Sequence, residues 1–279
     1  MDSFKRQKDF LVCIDSDGCA MDTMDIKHKN CFGPEMIKLY GFSEYKEYVQ
    51  KIWEDVNLYT ITRGINRFLG LLETLKIVDK EGIFKVEEYD ALENWATTSK
   101  ELSNDSLKRE IEKTNNSQLI KALQWSENVN ESIKKLPETL GAFNGVYDAV
   151  KSISKVADIC VVSSANKGAI LEEWTRCNLM EFVSLLMDQT YGSKAFCISE
   201  LLKAGNYENG KVLMVGDALG DLKAAKTNDV CFYPILVNKE EFSWERLKNE
   251  TLSVFTEEKY NGNYQKQLEE EFYNNLSKE

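Results

Sequence analysis

The sequence contains very little histidine and proline: His28 is the single histidine, and there are three prolines in 279 residues. One histidine leaves almost no material for a His-rich zinc site or for an enzyme that carries phosphate on histidine. No cysteine is followed by an arginine six positions later, which excludes a Cys-x5-Arg catalytic loop. His28 lies between two lysines, and we expect it to be solvated rather than catalytic.

Long apolar runs, positive charge and paired cysteines are also lacking. No window approaches the roughly 18 apolar residues that cross a membrane, and the polar start with a short apolar run favours a cytoplasmic protein with no membrane partner. The 46 acidic residues against 35 basic ones give a net charge of −11, which argues against a nucleic-acid partner. The seven cysteines form no Cys-x-x-Cys pair, so we interpret them as small buried side chains in a reducing compartment.

Two carboxylates follow the first apolar run of the chain. Residues 10–14 (FLVCI) predict a short buried strand, which ends in Asp15, Ser16 and Asp17. Alternation along a strand directs Asp15 and Asp17 to the same side, and Gly18 permits a sharp turn beside them. Two adjacent carboxylates repel each other unless a cation or a shared proton lies between them. The segment is therefore either a solvated turn or an acidic metal or catalytic site.

Apolar runs alternate with helical segments after residue 137, which is typical of a parallel α/β sheet. The buried run at 10–14 must join this sheet, because an isolated strand cannot satisfy its backbone hydrogen bonds. The block between them has helical periodicity and no strand-like run, so we predict an all-helical insert after the first strand. We predict three regions: an α/β core at residues 1–25 and 136–245, the helical insert at residues 26–135, and a helical C-terminal tail at residues 246–279.

Polar residues follow each of the next three predicted strands. Ser163 and Ser164 follow the second strand, Lys194 comes after the third, and Asp217 and Asp221 follow the fourth. Ligands of parallel sheets bind at the carboxyl ends of the strands, so we expect these side chains to form one site with the two acids of the first strand. Each also has a plainer interpretation when taken singly, as a surface lysine, a turn hydroxyl or a helix cap.

Together, these motifs resemble those of the haloacid dehalogenase (HAD) superfamily. Segment 15–18 matches its DxDG motif, Ser163 or Ser164 its hydroxyl motif, Lys194 its lysine motif, and segment 216–221 its GDxxxD motif. Cys19 stands where the family commonly has threonine. The resemblance implies a Rossmann-like α/β core with the helical insert as a cap over the site.

The resemblance also implies roles for the strand-end residues. Asp15 would attack phosphorus to form an aspartyl-phosphate, while Asp17 would protonate the leaving group and then deprotonate the attacking water. Lys194 would neutralise the phosphoryl oxygens, and Ser163 (or Ser164) would donate a hydrogen bond to one of them.

Magnesium is the cofactor that the resemblance implies, and an oxygen-only ligand set suits this hard cation. Its ligands would be Asp15, the main-chain carbonyl of Asp17, and Asp217. Asp221, four residues further on, would orient this metal shell from behind.

Further substrate contacts are predicted beside the core motifs and in the insert. Asn166 and Lys167 follow the hydroxyl motif, where Lys167 is a candidate second phosphate contact. In the insert, the spacing of Arg63 and Arg67 places them on one predicted helical face with Asn66 beside them. This cluster could bind the distal group of a substrate, and the alternative is a solvated face paired with acidic residues.

Because Asp17 is present, the resemblance points to a phosphatase or a phosphomutase, and of these we predict a magnesium-dependent phosphatase acting on a small phosphorylated metabolite. A sugar phosphomutase with the same aspartyl-phosphate chemistry is the enzymatic alternative, and a non-catalytic binding module with this fold is the other.

Overall fold

The computed structural model describes residues 4–82, 86, 89–137 and 141–277. Its sheet has five parallel strands in the order β3-β2-β1-β4-β5. The predicted α/β class is confirmed, and the first strand pairs with strands from the second half of the chain. The strands are β1 (Phe10–Ile14), β2 (Ala157–Val162), β3 (Leu185–Met187), β4 (Val212–Gly216) and β5 (Cys231–Pro234).

Helices make up most of the remaining described residues. The α-helices, in chain order, are α1 (Met24–Lys27), α2 (Gly33–Tyr40), α3 (Lys46–Glu54), α4 (Arg67–Lys80), α5 (Asp90–Thr98), α6 (Asn104–Thr114), α7 (Ser117–Ile133), α8 (Val146–Ile153), α9 (Lys167–Arg176), α10 (Lys194–Gly205), α11 (Leu219–Thr227), α12 (Glu240–Arg246), α13 (Leu252–Thr256) and α14 (Asn263–Leu276). Short π-helical turns span His28–Phe32, Asp55–Tyr59 and Leu247–Thr251. Short 3₁₀ turns span Ser43–Tyr45, Met180–Phe182, Gln189–Tyr191 and Asn209–Lys211.

The chain divides into two compact units. The first comprises residues 1–24 and 139–279 and contains the whole sheet, and the second comprises residues 25–138. Strands β1, β2 and β4 lie in the middle of the sheet, and every residue of β2 and β4 is buried. Burial on both faces is what a parallel sheet covered by helices requires, and it explains why these strands are continuous apolar runs.

The C-terminal region belongs to the unit that contains the sheet. Trp244, Leu247, Phe255, Tyr260 and Leu268 are buried in the same hydrophobic core as residues of β1 and β4. The separate tail predicted from residue 246 therefore differs from the structure. The region is rich in charged residues, but an apolar residue recurs every few positions. These apolar residues are the ones that pack into the core.

The unit of residues 25–138 has an aromatic core. Trp125 makes edge-to-face contacts with Trp53, Phe32 and Phe68, with ring centroids 5.7, 6.0 and 6.3 Å away. His28 is half-buried and stacks on Phe32 at 4.5 Å, so the prediction that it is solvated is wrong. The flat aromatic surface of Phe32 favours a stacked ring at this position over water.

No helix among the described residues is long and apolar enough to cross a membrane.

Candidate active site

The loop after β1 carries the first two acids and is fixed by backbone hydrogen bonds. The Asp15 N–H donates to the carbonyl of Val215 in β4 at 3.0 Å. Gly18 has φ of +77° and donates its N–H to the Met21 carbonyl at 2.9 Å, which closes the turn. This left-handed conformation strains residues with a Cβ atom, which explains the glycine after the second acid.

Three carboxylates and one ammonium group meet at the carboxyl edge of the sheet. Asp15, Asp217 and Asp221 are buried, and one oxygen of each lies within 4.8 Å of the others. The Lys194 Nζ lies 2.7 Å from Asp15 Oδ2 and 2.6 Å from Asp221 Oδ1. One positive charge thus faces three acids within a site that is largely closed to water.

Burial and charge act in opposite directions on these groups. Burial raises the pKa of Asp15 to about 6, because Lys194 offsets only part of the desolvation and Asp221 adds repulsion. The pKa of Asp221 is also raised, by burial first and then by Asp217. Burial alone would lower the pKa of Lys194, but the carboxylates of Asp15 and Asp221 raise it overall, so the ammonium stays charged. Perturbed groups of opposite charge at a sheet edge are typical of a functional site.

The three-acid cluster suits a hard divalent cation. Its donors are all carboxylate oxygens, the ligand type that Mg²⁺ prefers. Their combined negative charge exceeds the positive charge of the single ammonium group. Asp221 also accepts a hydrogen bond from the Ala218 N–H at 3.1 Å, which fixes its carboxylate at the start of α11. The residues present therefore fit a magnesium site.

Asp17 lies outside this cluster, and a residue not singled out from the sequence holds its carboxylate. The hydroxyl of the buried Thr23 donates to Asp17 Oδ1 at 2.5 Å. A hydroxyl six positions after the second acid was the available signal, but the path of the loop decides that the two meet.

The residues after β2 differ in their exposure. Ser163 is buried, and its Oγ accepts a hydrogen bond from the Ala165 N–H at 3.2 Å, whereas Ser164 is exposed. Asn166 is the N-cap of α9, with its side-chain oxygen accepting from the Gly168 N–H, and Lys167 is exposed at the first turn. Of the two serines, Ser163 is thus the one enclosed at the strand end.

A family model described as haloacid dehalogenase-like hydrolase matches residues 83–234, more than half of the chain. The matched segment includes Ser163, Lys194, Asp217 and Asp221, and it begins downstream of Asp15. The chain belongs to the haloacid dehalogenase-like hydrolase family. No curated protein matches this hydrolase.

Solved structures resemble this haloacid dehalogenase-like hydrolase in fold. A Thermotoga maritima protein named as a β-phosphoglucomutase is 17% identical, with 88% of this chain and 99% of that chain covered and a TM-score of 0.50. A haloacid dehalogenase-like family hydrolase from Streptococcus pneumoniae is 13% identical, with 92% and 99% covered and a TM-score of 0.49. A Lactobacillus delbrueckii protein named as a phosphoglycolate phosphatase is 13% identical, with 81% and 85% covered and a TM-score of 0.49. At these identities the likeness concerns the fold alone.

The predicted helical face of Arg63 and Arg67 in this hydrolase is wrong. Helix α4 begins at Arg67, and Asn66 caps it by accepting a hydrogen bond from the Phe68 N–H, which leaves Arg63 in the preceding turn. Arg63 is buried and donates to the Leu58 carbonyl at 2.7 Å. Because Asn66 caps the start of the helix, the helix does not extend back to Arg63, and the four-residue spacing does not place both arginines on it.

The solvated, acid-paired alternative is also wrong for Arg67. Arg67 Nη1 donates to Ser126 Oγ at 3.0 Å and to Asn130 Oδ1 at 2.8 Å, and its guanidinium lies 5.0 Å from the centroid of the Phe32 ring. Burial lowers the pKa of Arg67 to about 10. Among the residues that the structure describes, its partners are neutral oxygens and an aromatic face of the same unit rather than acidic side chains.

Proposed function

We propose that this hydrolase is a Mg²⁺-dependent phosphatase that hydrolyses a small phosphomonoester through an aspartyl-phosphate on Asp15. The observation that carries the proposal is the contact of Lys194 Nζ with Asp15 Oδ2 at 2.7 Å, beside the carboxylates of Asp217 and Asp221. This arrangement combines a nucleophilic carboxylate, a fixed cation and an oxygen-only metal site at one sheet edge. Phosphoryl transfer needs these parts because both the nucleophile and the phosphate are anionic.

The first step forms a bond between Asp15 and phosphorus. An Asp15 oxygen attacks the phosphorus atom, and the bond to the ester oxygen breaks with its electron pair. Lys194 stabilises the charge on the phosphoryl oxygens, and Ser163 can donate its O–H to one of them. Mg²⁺ bound by Asp15, the Asp17 carbonyl and Asp217 would supply further positive charge, with Asp221 as the supporting acid.

Asp17 is proposed to move the proton in both steps. Its carboxyl protonates the departing ester oxygen, and the resulting carboxylate then removes a proton from the water that hydrolyses the aspartyl-phosphate. The hydrogen bond from Thr23 to Asp17 Oδ1 supports this role, because it fixes the orientation of the carboxylate that would carry the proton.

The smaller substrate contacts belong to the same proposal. Lys167, exposed at the first turn of α9, could contact the phosphate, and Ser164 and Asn166 lie beside it in the same loop. The small size of the substrate follows from the family resemblance, in which an insert after the first strand is a cap.

Hydrolysis of p-nitrophenyl phosphate tests the proposal, with release of inorganic phosphate measured in parallel. We expect turnover with Mg²⁺, loss of turnover after exhaustive chelation, and recovery when Mg²⁺ is restored. Undiminished activity after chelation would contradict the metal requirement, and no activity with any of a panel of phosphate esters would favour a binding module. Transfer of the phosphoryl group between sugar phosphates without release of phosphate would instead favour a mutase.

A further inference from the structure

Two indole N–H groups from distant parts of the chain hold the loop of residues 15–21. Trp174 Nε1, in α9, donates to Ser16 Oγ at 2.9 Å. Trp244 Nε1, in α12, donates to the carbonyl oxygen of Cys19 at 3.0 Å. Both tryptophans, Ser16 and Cys19 have no exposed surface. The loop is therefore fastened at two points by donors that water does not reach.

The Trp174 contact acts on the residue between the two proposed catalytic acids. Ser16 Oγ contacts Trp174, whereas the carboxylate of its neighbour Asp15 contacts Lys194. The Ser16 carbonyl also closes the turn, because it accepts the N–H groups of Cys19, Ala20 and Met21 at 3.3, 3.0 and 2.8 Å. A shift of Ser16 would move both flanking acids and loosen the turn that follows.

Repulsion between the carboxylates at the sheet edge would displace this loop if it were not held in place. Asp15 faces the carboxylates of Asp217 and Asp221, and the single ammonium of Lys194 compensates only part of their repulsion. A nucleophile displaced by about 1 Å can lose on the order of 10²-fold in rate, because in-line attack needs a fixed geometry.

We infer that Trp174 and Trp244 are positioning residues, whose indole N–H groups hold the loop of residues 15–21 so that Asp15 and Asp17 stay in their reactive positions. The inference rests on the proposed function. The two indole N–H groups donate to Ser16 Oγ and to the Cys19 carbonyl, so they act on the acids through the loop. Their removal should therefore lower the rate of the chemical step more than it changes substrate binding.

A double-mutant cycle tests the Trp174 contact from both ends. Trp174→Phe removes the donor, Ser16→Ala removes the acceptor, and the double variant removes both. We expect kcat for p-nitrophenyl phosphate to fall by about tenfold or more in each single variant, with KM within about threefold. The double variant should lose no more than either single variant, since all three lack the same hydrogen bond. Additive losses would overturn the assignment of Trp174 to Ser16.

Trp244→Phe tests the second contact, and Trp53→Phe is the matched control. Trp53 is also fully buried, but its indole N–H meets no acceptor among the described residues. Its replacement by phenylalanine therefore reduces the size of a buried ring system without removing a hydrogen bond. We expect a lower kcat for Trp244→Phe only. Equal losses of kcat in both variants would show a general packing effect and overturn the positioning role.

Amide hydrogen exchange gives a readout that does not depend on turnover. In Trp174→Phe and Trp244→Phe, peptides covering residues 16–21 should exchange about tenfold faster, while peptides from β2 and β4 keep their protection. An active parent with unchanged kcat and exchange in both variants would overturn the positioning role alone. Absence of hydrolysis by the unsubstituted protein would overturn the proposed function, and the positioning role with it.

Discussion

Replacing Lys194 with methionine should separate the structural effect of its charge from its catalytic effect. Methionine keeps an unbranched apolar side chain out to the Cε position and removes the ammonium group. The ammonium lies 2.7 Å from Asp15 and 2.6 Å from Asp221, and the Lys194 side chain is 16% exposed. Removal of one partner from a buried ion pair costs on the order of 3–5 kcal/mol, because it leaves a buried charge uncompensated.

The size of the stability loss should depend on Mg²⁺ and on pH. Without metal at pH 7.5, a loss of about 3–5 kcal/mol lowers the melting temperature by roughly 10 °C in a chain of this size. Saturating Mg²⁺ should recover much of the stability that the Lys194→Met protein loses, because a cation at about 100 times its Kd stabilises the folded state by about 2.7 kcal/mol. At pH 5 the loss should be smaller, because loss of the lysine raises the pKa of Asp15 further and the carboxyl then takes up a proton.

Activity should not recover with stability. Lys194 is proposed to contact the phosphoryl group, and loss of one such charge typically lowers kcat by about 10²–10³-fold. The assays are thermal unfolding with and without chelator, and steady-state hydrolysis at saturating Mg²⁺. The matched control is Lys203→Met in the same helix, which removes the pair of the exposed Lys203 with the half-buried Glu200, a surface pair of a kind that contributes about 0–1 kcal/mol. A Lys194→Met protein that melts with the parent in chelator, or keeps the parental kcat, would refute the reasoning.

Three further predictions concern the two acids of the loop. Asp15→Asn should abolish turnover yet raise the melting temperature of the metal-free protein at neutral pH, since it removes a buried charge from a repulsive cluster; retained turnover would show that another residue attacks. In chelator, the unfolding free energy of the parent should fall as the pH rises from about 4 to about 6, because the raised pKa of Asp15, about 6, makes the folded state bind more protons than the unfolded state in this window. Urea unfolding over this pH range should show that slope weakened in Asp15→Asn, and an equal slope would assign it to other groups. Asp17→Asn should release a burst of p-nitrophenol about stoichiometric with enzyme and then turn over slowly, because p-nitrophenolate leaves without a proton while water still needs a base; rapid-quench losses equal to those for an alkyl phosphate, with no phosphoenzyme, would contradict its role.

The sequence predicted the middle of the sheet better than its edges. The predicted bounds of β1 agree with the structure, because every apolar residue of a central strand is needed to cover both faces of the sheet. The edge strands β3 and β5 are shorter than the largely apolar segments that contain them, at residues 183–187 and 230–237. An edge strand pairs on one side only, and β5 ends at Pro234, which has no N–H to donate. Apolar residues beyond it are buried without belonging to the sheet.

For the predicted residues of the insert, the outcome depends on whether a side chain's environment is set by neighbours in the sequence or by distant residues. Asn66 was readable as a helix cap, and giving it that weight would have placed Arg63 before the helix. The environment of Arg67 was not readable, because its partners Ser126 and Asn130 lie 59 and 63 residues away. A four-residue spacing states which residues share a face only after the start of the helix is known.

The contacts that support the proposed acids were the least accessible to sequence analysis. The proposed site residues themselves could be predicted, because their positions after successive strands bring them to one edge of the sheet by topology alone. They are Asp15, Asp17, Lys194, Asp217 and Asp221. Tryptophans such as those at 174 and 244 are predicted as packing residues, and nothing in an apolar pattern states where an indole N–H is directed. A buried N–H must nevertheless find an acceptor, so each large buried indole is also a buried donor that constrains its surroundings. In this chain two such donors end on the loop that carries Asp15 and Asp17, where a small displacement would cost most.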